Sequence, residues 1–369
     1  MSKIEINQTH DFKFRKRFTV DLKNDEGIIQ SKGVMHFFDT SFGEGFIKTL
    51  GFSAVETPVN LRRGGNVRKI FDHAFDWAIN EGAVVSVLHP FSFSYYEKFG
   101  YGKVADHLIV RLPIRLLDFV PRENNFVKYE GDENTLKELC ELHNRFCRGR
   151  QLMMLRSDSK YFDNKELYIY YEDGRATGYI SFLTEKRLEI NHYEDGLMTV
   201  KDIVYTTPRA LKAVLGFIRM FEGELEEVEF SNIATCPEIE MMLKHHTHTR
   251  YRLLPDLMVR VLNTEKLLLA HKYPKEKGSF VLKVRDTLPT VAGSFLVEYG
   301  QGGCTVGRVF EDTPADISVG APMLARLLYG YDAITPEQAA FIDEIELGER
   351  AEDFFRAFKK RPSGMFEHF

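Results

Sequence analysis

The sequence has few cysteines, no basic surplus and no long apolar run, and each shortage argues against a class of protein. A net charge of -5 gives no general attraction to phosphate backbones, so nucleic acid is not an expected partner. No run approaches the roughly 18 apolar residues of a membrane helix, so a membrane is not expected either. No pair of cysteines has the C-x-x-C spacing of a zinc site or redox centre; the four stand at Cys140, Cys147, Cys236 and Cys304.

The remaining composition is typical of a soluble globular protein. Hydrophobic residues make up 44% of the 369 positions and charged residues 28%, which is enough apolar surface to build real cores. The length suggests two or three folded units. The first residues, Met1 to Ile6, carry no apolar stretch behind their charge, so no secretory signal is predicted. We therefore expect a cytoplasmic protein with reduced cysteines.

The hydrophobic pattern predicts an α/β protein with mixed sheets, built from three units. These units span residues 1–122, 123–264 and 265–369. In the first unit, short alternating runs over residues 11–55 predict antiparallel strands and hairpins. From Asn66 to Glu81, apolar residues recur at spacings of three and four, which predicts a helix of about four turns. The apolar stretch from Ala83 to Leu88 then predicts a buried strand.

The order of elements in the second unit resembles that in the first, and the third unit differs. For the second unit the pattern predicts helices over 133–148 and 208–221 and strands over 167–171 and 176–183. For the third unit it predicts strands over 280–284 and 294–298, and helical stretches over 321–328 and 351–359.

The loop before the first helix has the composition of an anion site. It reads Arg62-Arg63-Gly64-Gly65-Asn66-Val67-Arg68 and joins a predicted strand to the helix. The free backbone amides at a helix start bind phosphate oxygens, and the helix dipole reinforces them. Glycines let the main chain approach a ligand closely, and arginines supply positive charge. This pattern favours a pyrophosphate.

Among cofactors that contain a pyrophosphate, coenzyme A fits this loop best. The loop lacks the Lys-Ser/Thr ending of a Walker sequence and the three-glycine spacing of a dinucleotide fingerprint. From the loop alone, an alternative stays open: the arginines and glycines could simply cap a surface helix.

The segment after the buried strand carries a family resemblance. It reads His89-Pro90-Phe91-Ser92-Phe93-Ser94-Tyr95-Tyr96-Glu97-Lys98-Phe99-Gly100-Tyr101. With the loop before it, this segment resembles the GNAT superfamily of acetyltransferases and, more narrowly, the Eis (enhanced intracellular survival) family. That family joins two GNAT-like domains to a domain similar to sterol carrier protein and ends in an aromatic residue, here Phe369. The first unit is shorter at its N-terminus than in most members, and we expect it to lack their initial helical pair.

The resemblance implies roles for individual residues. The main chain of Val55, Glu56 and Thr57 would pair with the pantetheine arm of acetyl-CoA, and Phe91 and Ser92 would lie beside its thioester. The pyrophosphate would be held by Arg62, Arg63, Gly64, Gly65, Asn66, Val67 and Arg68. No metal is implied.

Two further residues would carry the chemistry. Tyr96 would protonate the departing thiolate, and the C-terminal carboxylate of Phe369 would receive the proton of the amine, usually through water. A thiolate leaving group must gain a proton, and a phenol within hydrogen-bond reach can supply it. Tyr95 or Tyr101 could be confused with Tyr96, and a packed aromatic ring is the alternative to a catalytic one.

The sequence as a whole predicts an acetyl-CoA-dependent N-acetyltransferase. Its acceptor would be a small-molecule primary amine, with aminoglycoside-like, polyamine-like and lysine-type amines left open. The resemblance suggests a homohexamer. The alternative is a catalytically impaired sensor or scaffold that binds coenzyme A or a lipid.

Overall fold

The chain folds into two compact units, each made of separate stretches of sequence. The computed structural model describes residues 3–12, 15–162, 166–187, 195–245, 247–331, 334–367 and 369. The first unit comprises Met1–Ala105, Asp256–Ser363 and Phe369. The second comprises Asp106–Pro255 and Gly364–His368.

The elements are numbered in chain order. The first stretch contains β1 (Lys3–Phe12), β2 (Arg15–Lys23), β3 (Ile29–Phe42), β4 (Gly45–Glu56), α1 (Asn66–Asn80), β5 (Val85–Leu88), α2 (Phe93–Glu97) and β6 (Gly102–Pro113). The middle stretch contains β7 (Phe126–Lys128), α3 (Glu133–Phe146), β8 (Glu166–Glu172), β9 (Arg175–Arg187), β10 (Asp195–Tyr205), α4 (Pro208–Ile218), β11 (Glu227–Phe230), α5 (Pro237–Met242) and β12 (Arg250–Val261).

The last stretch is also mixed in secondary structure. It contains α6 (Thr264–Ala270), β13 (Gly278–Arg285), β14 (Gly293–Gly300), β15 (Gly303–Val309), β16 (Ile317–Gly320), α7 (Ala321–Leu328), α8 (Pro336–Ala339), β17 (Ile345–Leu347) and α9 (Ala351–Ala357). Within the described residues, no helix is both long and apolar enough to cross a membrane.

Strands β1 to β5 form consecutive neighbours in a sheet of the first unit. β1 to β4 are antiparallel, whereas β5 runs parallel to β4 because α1 crosses between them. The end of β12 pairs with the other edge of β5, with Met258 opposite Leu88. The buried face of α1 packs on this sheet through Ile70, Phe71, Ala74, Phe75 and Ala78. The three- and four-residue spacing in the sequence therefore marks the face of α1 that joins the core.

The first unit also contains a second sheet, built from the last stretch of the chain. Its strand order is β15-β14-β13-β16-β17. β13 and β16 are parallel and the other neighbours are antiparallel. Helix α9 packs on β13 through a buried aromatic cluster that includes Phe280, Phe354 and Phe358.

The second unit repeats the pattern of a helix crossing between parallel strands. β10 and β11 are parallel, and α4 lies between them in the sequence. β9, β8 and β7 extend the sheet as antiparallel neighbours beyond β10. The turn between β8 and β9 falls at Asp173 and Gly174, which both have positive φ, as a two-residue hairpin turn requires. The predicted mixed α/β fold is thus confirmed.

Candidate functional site

The end of β4 has one backbone edge that lacks a strand partner among the described residues. β4 pairs with β5 only from Thr49 to Gly51, although β4 itself continues to Glu56. Its register with β3 shifts just beyond this point, and Ala54 has a positive φ of 49°. A non-glycine residue with this φ inside a strand indicates a bulge, which turns the edge away from its neighbour. Backbone groups along this edge can bond to an extended ligand.

The start of α1 leaves its amide groups uncapped. The N-cap residue is Gly65, with a φ of 75° and no side chain to accept a hydrogen bond. The first helical hydrogen bond runs from the Lys69 amide to the Gly65 carbonyl, at 3.2 Å. A Cβ atom at Gly65 would meet nothing within 4 Å, so the space in front of the helix is open. Exposed amides at the positive end of a helix dipole are suited to a phosphate.

The three arginines of the loop have different surroundings. Arg62 donates from Nε to the Thr57 carbonyl at 3.2 Å. Arg68 donates to the Lys98 carbonyl at 2.7 Å, and its guanidinium lies 5.0 Å from the centre of the Phe99 ring. Arg63 has a positive φ of 65° and makes no side-chain hydrogen bond or ion pair within the described residues. Of the three guanidinium groups, that of Arg63 therefore has the fewest interactions with other described residues.

These segments line one groove of about 700 Å³. Ten predicted site residues line it: Val55, Glu56, Thr57, Arg62, Arg63, Gly65, Asn66, Val67, Arg68 and Phe91. Four lining residues were not predicted: Leu61, Tyr95, Lys98 and Phe99. Tyr95, Lys98 and Phe99 belong to the segment that carries the family resemblance, so their signal was partly present in the sequence.

The other four predicted residues do not line the groove. They are Gly64, Ser92, Tyr96 and Phe369. Gly64 sits within the Arg/Gly loop itself. Ser92 is the N-cap of α2, and its hydroxyl lies 3.3 Å from that of Ser94.

Tyr96 lies on α2 in an aromatic cluster. Its side chain is only 6% exposed, and its ring centre lies 5.3 Å from that of Phe91, which does line the groove. Burial, with a smaller contribution from Tyr95, raises the pKa of the Tyr96 phenol to about 12. The neighbouring Tyr101 is completely buried and its hydroxyl is 2.7 Å from that of Ser86, which gives it a structural role.

Phe369 lies against the sheet where β4 and β5 separate. Its ring centre is 5.2 Å from that of Phe38 on β3 and 5.4 Å from that of His89, which follows β5. A Cβ atom at Gly51 would come within 2.8 Å of the Phe369 ring, so this glycine is needed for the close contact. Gly51 is also the last residue of β4 that pairs with β5.

In the second unit, the N-terminus of the corresponding helix, α4, is capped by a side chain. The hydroxyl of Thr207, the N-cap of α4, accepts a hydrogen bond from the Ala210 amide at 3.0 Å. Pro208 occupies the first helical position and has no amide hydrogen to offer. Since the side chain and the proline satisfy or remove the donors, this helix start lacks the features of an anion site.

Comparison with protein families agrees with this geometry. Residues 11–104 and residues 150–261 each match an acetyltransferase (GNAT) domain. Residues 264–365 match a sterol carrier protein domain. No protein with curated functional information shows significant sequence similarity to the chain. The chain belongs to the GNAT superfamily of acetyltransferases.

Solved structures share the fold of this chain at low sequence identity. A GCN5-related N-acetyltransferase from Anabaena variabilis is 18% identical, with a TM-score of 0.80 over 95% of this chain and 89% of that one. A probable N-acyltransferase from Enterococcus faecalis is 18% identical, with a TM-score of 0.77 over 96% and 89%. Eis1 from Mycobacterium abscessus is 14% identical, with a TM-score of 0.76 over 95% and 91%. The chain therefore shares its fold with these three proteins.

Proposed function

We propose that this enzyme transfers an acetyl group from acetyl-CoA directly to a primary amine. The observation that carries the proposal is the start of α1, where Gly65 provides no side-chain cap. It opens into the same groove as the edge of β4 that lacks a strand partner in the described part of the chain. One feature suits a pyrophosphate and the other suits an extended arm with amide groups. Acetyl-CoA contains both, joined in one molecule.

The loop residues would hold the polar part of the cofactor. The amides from Gly65 to Arg68 point to the open end of α1 and would bind the pyrophosphate, helped by the guanidinium of Arg63. The main chain of Val55, Glu56 and Thr57 would pair with the pantetheine arm as an added strand does. Phe91, which is 76% exposed on the groove wall, and Ser92 would lie beside the thioester.

Two groups would move protons during transfer. Acetyl-CoA supplies an activated acetyl carbon, to which the amine nitrogen bonds as the carbon–sulfur bond breaks. Tyr96 would give its phenolic proton to the departing sulfur. Its raised pKa, about 12, keeps the phenol protonated at neutral pH, as a proton donor must be. The carboxylate of Phe369 would assist removal of the proton from the nitrogen, through water.

The proposed acceptor is a primary amine. Aminoglycoside-like, polyamine-like and lysine-type amines remain the proposed classes. From the resemblance to the Eis family, we also propose a cytoplasmic homohexamer, which light scattering on the purified protein would test.

A thiol-release assay tests the proposed reaction. Acetyl-CoA is mixed with an aminoglycoside, a polyamine and a lysine peptide in turn, and free thiol and acetylated product are both measured. We expect release that depends on the enzyme and on at least one amine. Calorimetry with acetyl-CoA alone provides the second measurement. Binding without turnover on any amine would favour a coenzyme A sensor, and the absence of binding would contradict the proposed site.

A further inference from the structure

The groove contains one positive side chain to which the proposed function gives no role. Lys98 is the C-cap residue of α2, lines the groove and is exposed. Its ammonium group makes no hydrogen bond or ion pair within the described residues. A ligand that enters the groove can therefore bind this group without breaking a contact in the protein.

Arg68 holds the end of α2 beside the start of α1. Its guanidinium donates to the Lys98 carbonyl at 2.7 Å and lies 5.0 Å from the centre of the Phe99 ring. Arg68 itself belongs to the first turn of α1, whose amides would bind the pyrophosphate. This contact commits much of the Arg68 guanidinium to the protein, and it places Lys98 at the phosphate end of the groove.

The wall formed by α2 follows the proposed path of the cofactor. Phe91, which precedes α2, would lie beside the thioester, and Tyr95 within α2 lines the groove further along. Lys98 and Phe99 come last and lie next to Arg68. The order of these residues along the chain thus matches the order of thioester, pantetheine arm and phosphates in acetyl-CoA.

The positive charge of the groove exceeds what the pyrophosphate alone would use. Its described lining has a single carboxylate, that of Glu56, which is already 3.0 Å from Lys32 Nζ. The positive residues of the lining are Arg62, Arg63, Arg68 and Lys98. Coenzyme A has a second anionic group, the 3′-phosphate, on the same ribose that bears the pyrophosphate. Such a monoester phosphate carries a charge of about −1.5 to −2 at pH 7, and lysine binds phosphates as a point charge.

We propose that Lys98 binds the 3′-phosphate of acetyl-CoA and makes the enzyme select coenzyme A over its 3′-dephospho form. This inference rests on the proposed acetyl transfer and adds a specificity-determining residue to it. Arg62 is the other candidate, but its Nε is bonded to the Thr57 carbonyl, beside the edge of β4 that would bind the pantetheine arm. Because the ribose joins the two anionic groups, a cation for the 3′-phosphate must lie close to the start of α1, as Lys98 does.

Lys69 provides a matched control. It is an exposed lysine in the first turn of α1, directly after Arg68, but it does not line the groove. Lys69→Gln therefore removes the same charge near the same helix start without removing a groove contact.

The test measures the Kd for coenzyme A and for 3′-dephospho-coenzyme A by calorimetry on the full-length protein. We expect the wild type to bind coenzyme A about 10-fold more tightly, as is typical of a charge-assisted hydrogen bond. Lys98→Gln should weaken coenzyme A binding by about 10-fold and change 3′-dephospho-coenzyme A binding less than about twofold, so the preference disappears. Lys98→Arg keeps the charge and should keep most of the preference, and Lys69→Gln should keep all of it.

Salt provides an independent measurement of the same contact. An exposed ion pair is screened by salt, so the wild-type preference for coenzyme A should shrink when the salt concentration is raised from about 0.05 M to about 0.5 M. The ratio of the two Kd values in Lys98→Gln should stay constant over the same range.

Three outcomes would overturn the inference while leaving the proposed function intact. One is equal affinity of the wild type for both forms, and another is an equal loss for both forms in Lys98→Gln. The third is a preference that is lost in Arg62→Ala and kept in Lys98→Gln, which would move the assignment to Arg62. In each case the wild-type enzyme would still bind coenzyme A and release thiol with an amine. A wild type that binds neither form would instead refute the proposed cofactor site, and this inference with it.

Discussion

Replacing Tyr96 by phenylalanine removes one oxygen atom and leaves the ring in place. The ring lies in a cluster with Phe71, Phe91 and Tyr101, and its hydroxyl forms no hydrogen bond within the described residues. Loss of a hydroxyl without a hydrogen-bond partner should leave the free energy of unfolding almost unchanged, because no buried donor or acceptor is left unsatisfied. The substitution therefore tests the loss of the phenolic proton without a change in the stability of the fold.

The expected loss of turnover follows from the removal of the proposed proton donor. A pKa of about 12 lies about five units above neutral pH, so essentially every Tyr96 carries its proton during the reaction. General acid catalysis contributes about 10²–10⁴-fold to a rate, which corresponds to about 2.7–5.5 kcal/mol of activation free energy. We expect kcat of Tyr96→Phe to fall by this factor, while the Kd for acetyl-CoA changes less than about twofold.

Steady-state thiol release and calorimetry on the same preparation measure both quantities. Tyr95→Phe is the matched control, since Tyr95 is the adjacent residue of α2 and lines the groove. A Tyr96→Phe enzyme with more than half of the wild-type kcat would refute the donor assignment. A large loss in Tyr95→Phe together with an active Tyr96→Phe would move the assignment to Tyr95.

Three further substitutions test the cofactor loop, the contact at Gly51 and the pH dependence of stability. Arg63→Ala should weaken acetyl-CoA binding by about 10-fold or more, as expected for the loss of a charge-assisted hydrogen bond. The control is Arg209→Ala, which removes an exposed arginine of the second unit and should leave binding unchanged. Calorimetry measures the Kd of both variants. In Gly51→Ala, the added Cβ would come within 2.7 Å of the Phe38 ring and within 2.8 Å of the Phe369 ring, so we expect kcat to fall strongly. Normal turnover would show that the contact with Phe369 is dispensable. Burial lowers the pKa of His271 to about 3, so the unfolded state binds more protons between about pH 3 and 6.5, and stability falls as the pH drops through that window. His271 should therefore contribute about 2 kcal/mol to the stability lost between pH 7 and pH 5 in urea unfolding, and His271→Gln should lose that contribution.

The sequence contained most of the information about the local elements of the site. The apolar spacing predicted a helix over 66–81. The structure has α1 at Asn66–Asn80, with Ile70, Phe71, Ala74, Phe75 and Ala78 buried. The position of Gly65 before the helix predicted an open anion site, and the structure gives it the left-handed φ that glycine favours. Such features depend on a few neighbouring residues, so a pattern in the sequence can reveal them.

Features that depend on distant residues were not predictable in this way. The bulge at Ala54 requires a positive φ in a non-glycine residue, which has no signature in the hydrophobic pattern. The contact between Arg68 and the Phe99 ring depends on how α2 packs beside α1. The hydrogen bond between His89 and Asp256 joins positions 167 residues apart, and only the pairing of β5 with β12 brings them together.

The two GNAT domains of this chain separate the contribution of the fold from that of the loop. Both contain a helix that crosses between parallel strands, β4-α1-β5 in one and β10-α4-β11 in the other. Only the first has glycine as the N-cap and arginines in the loop, whereas the second has the Thr207 cap and Pro208. Since the backbone arrangement is shared, it cannot by itself decide which domain binds acetyl-CoA. The deciding feature is whether the first amides of the helix are left for a ligand, and this is set by the few residues before α1 and α4.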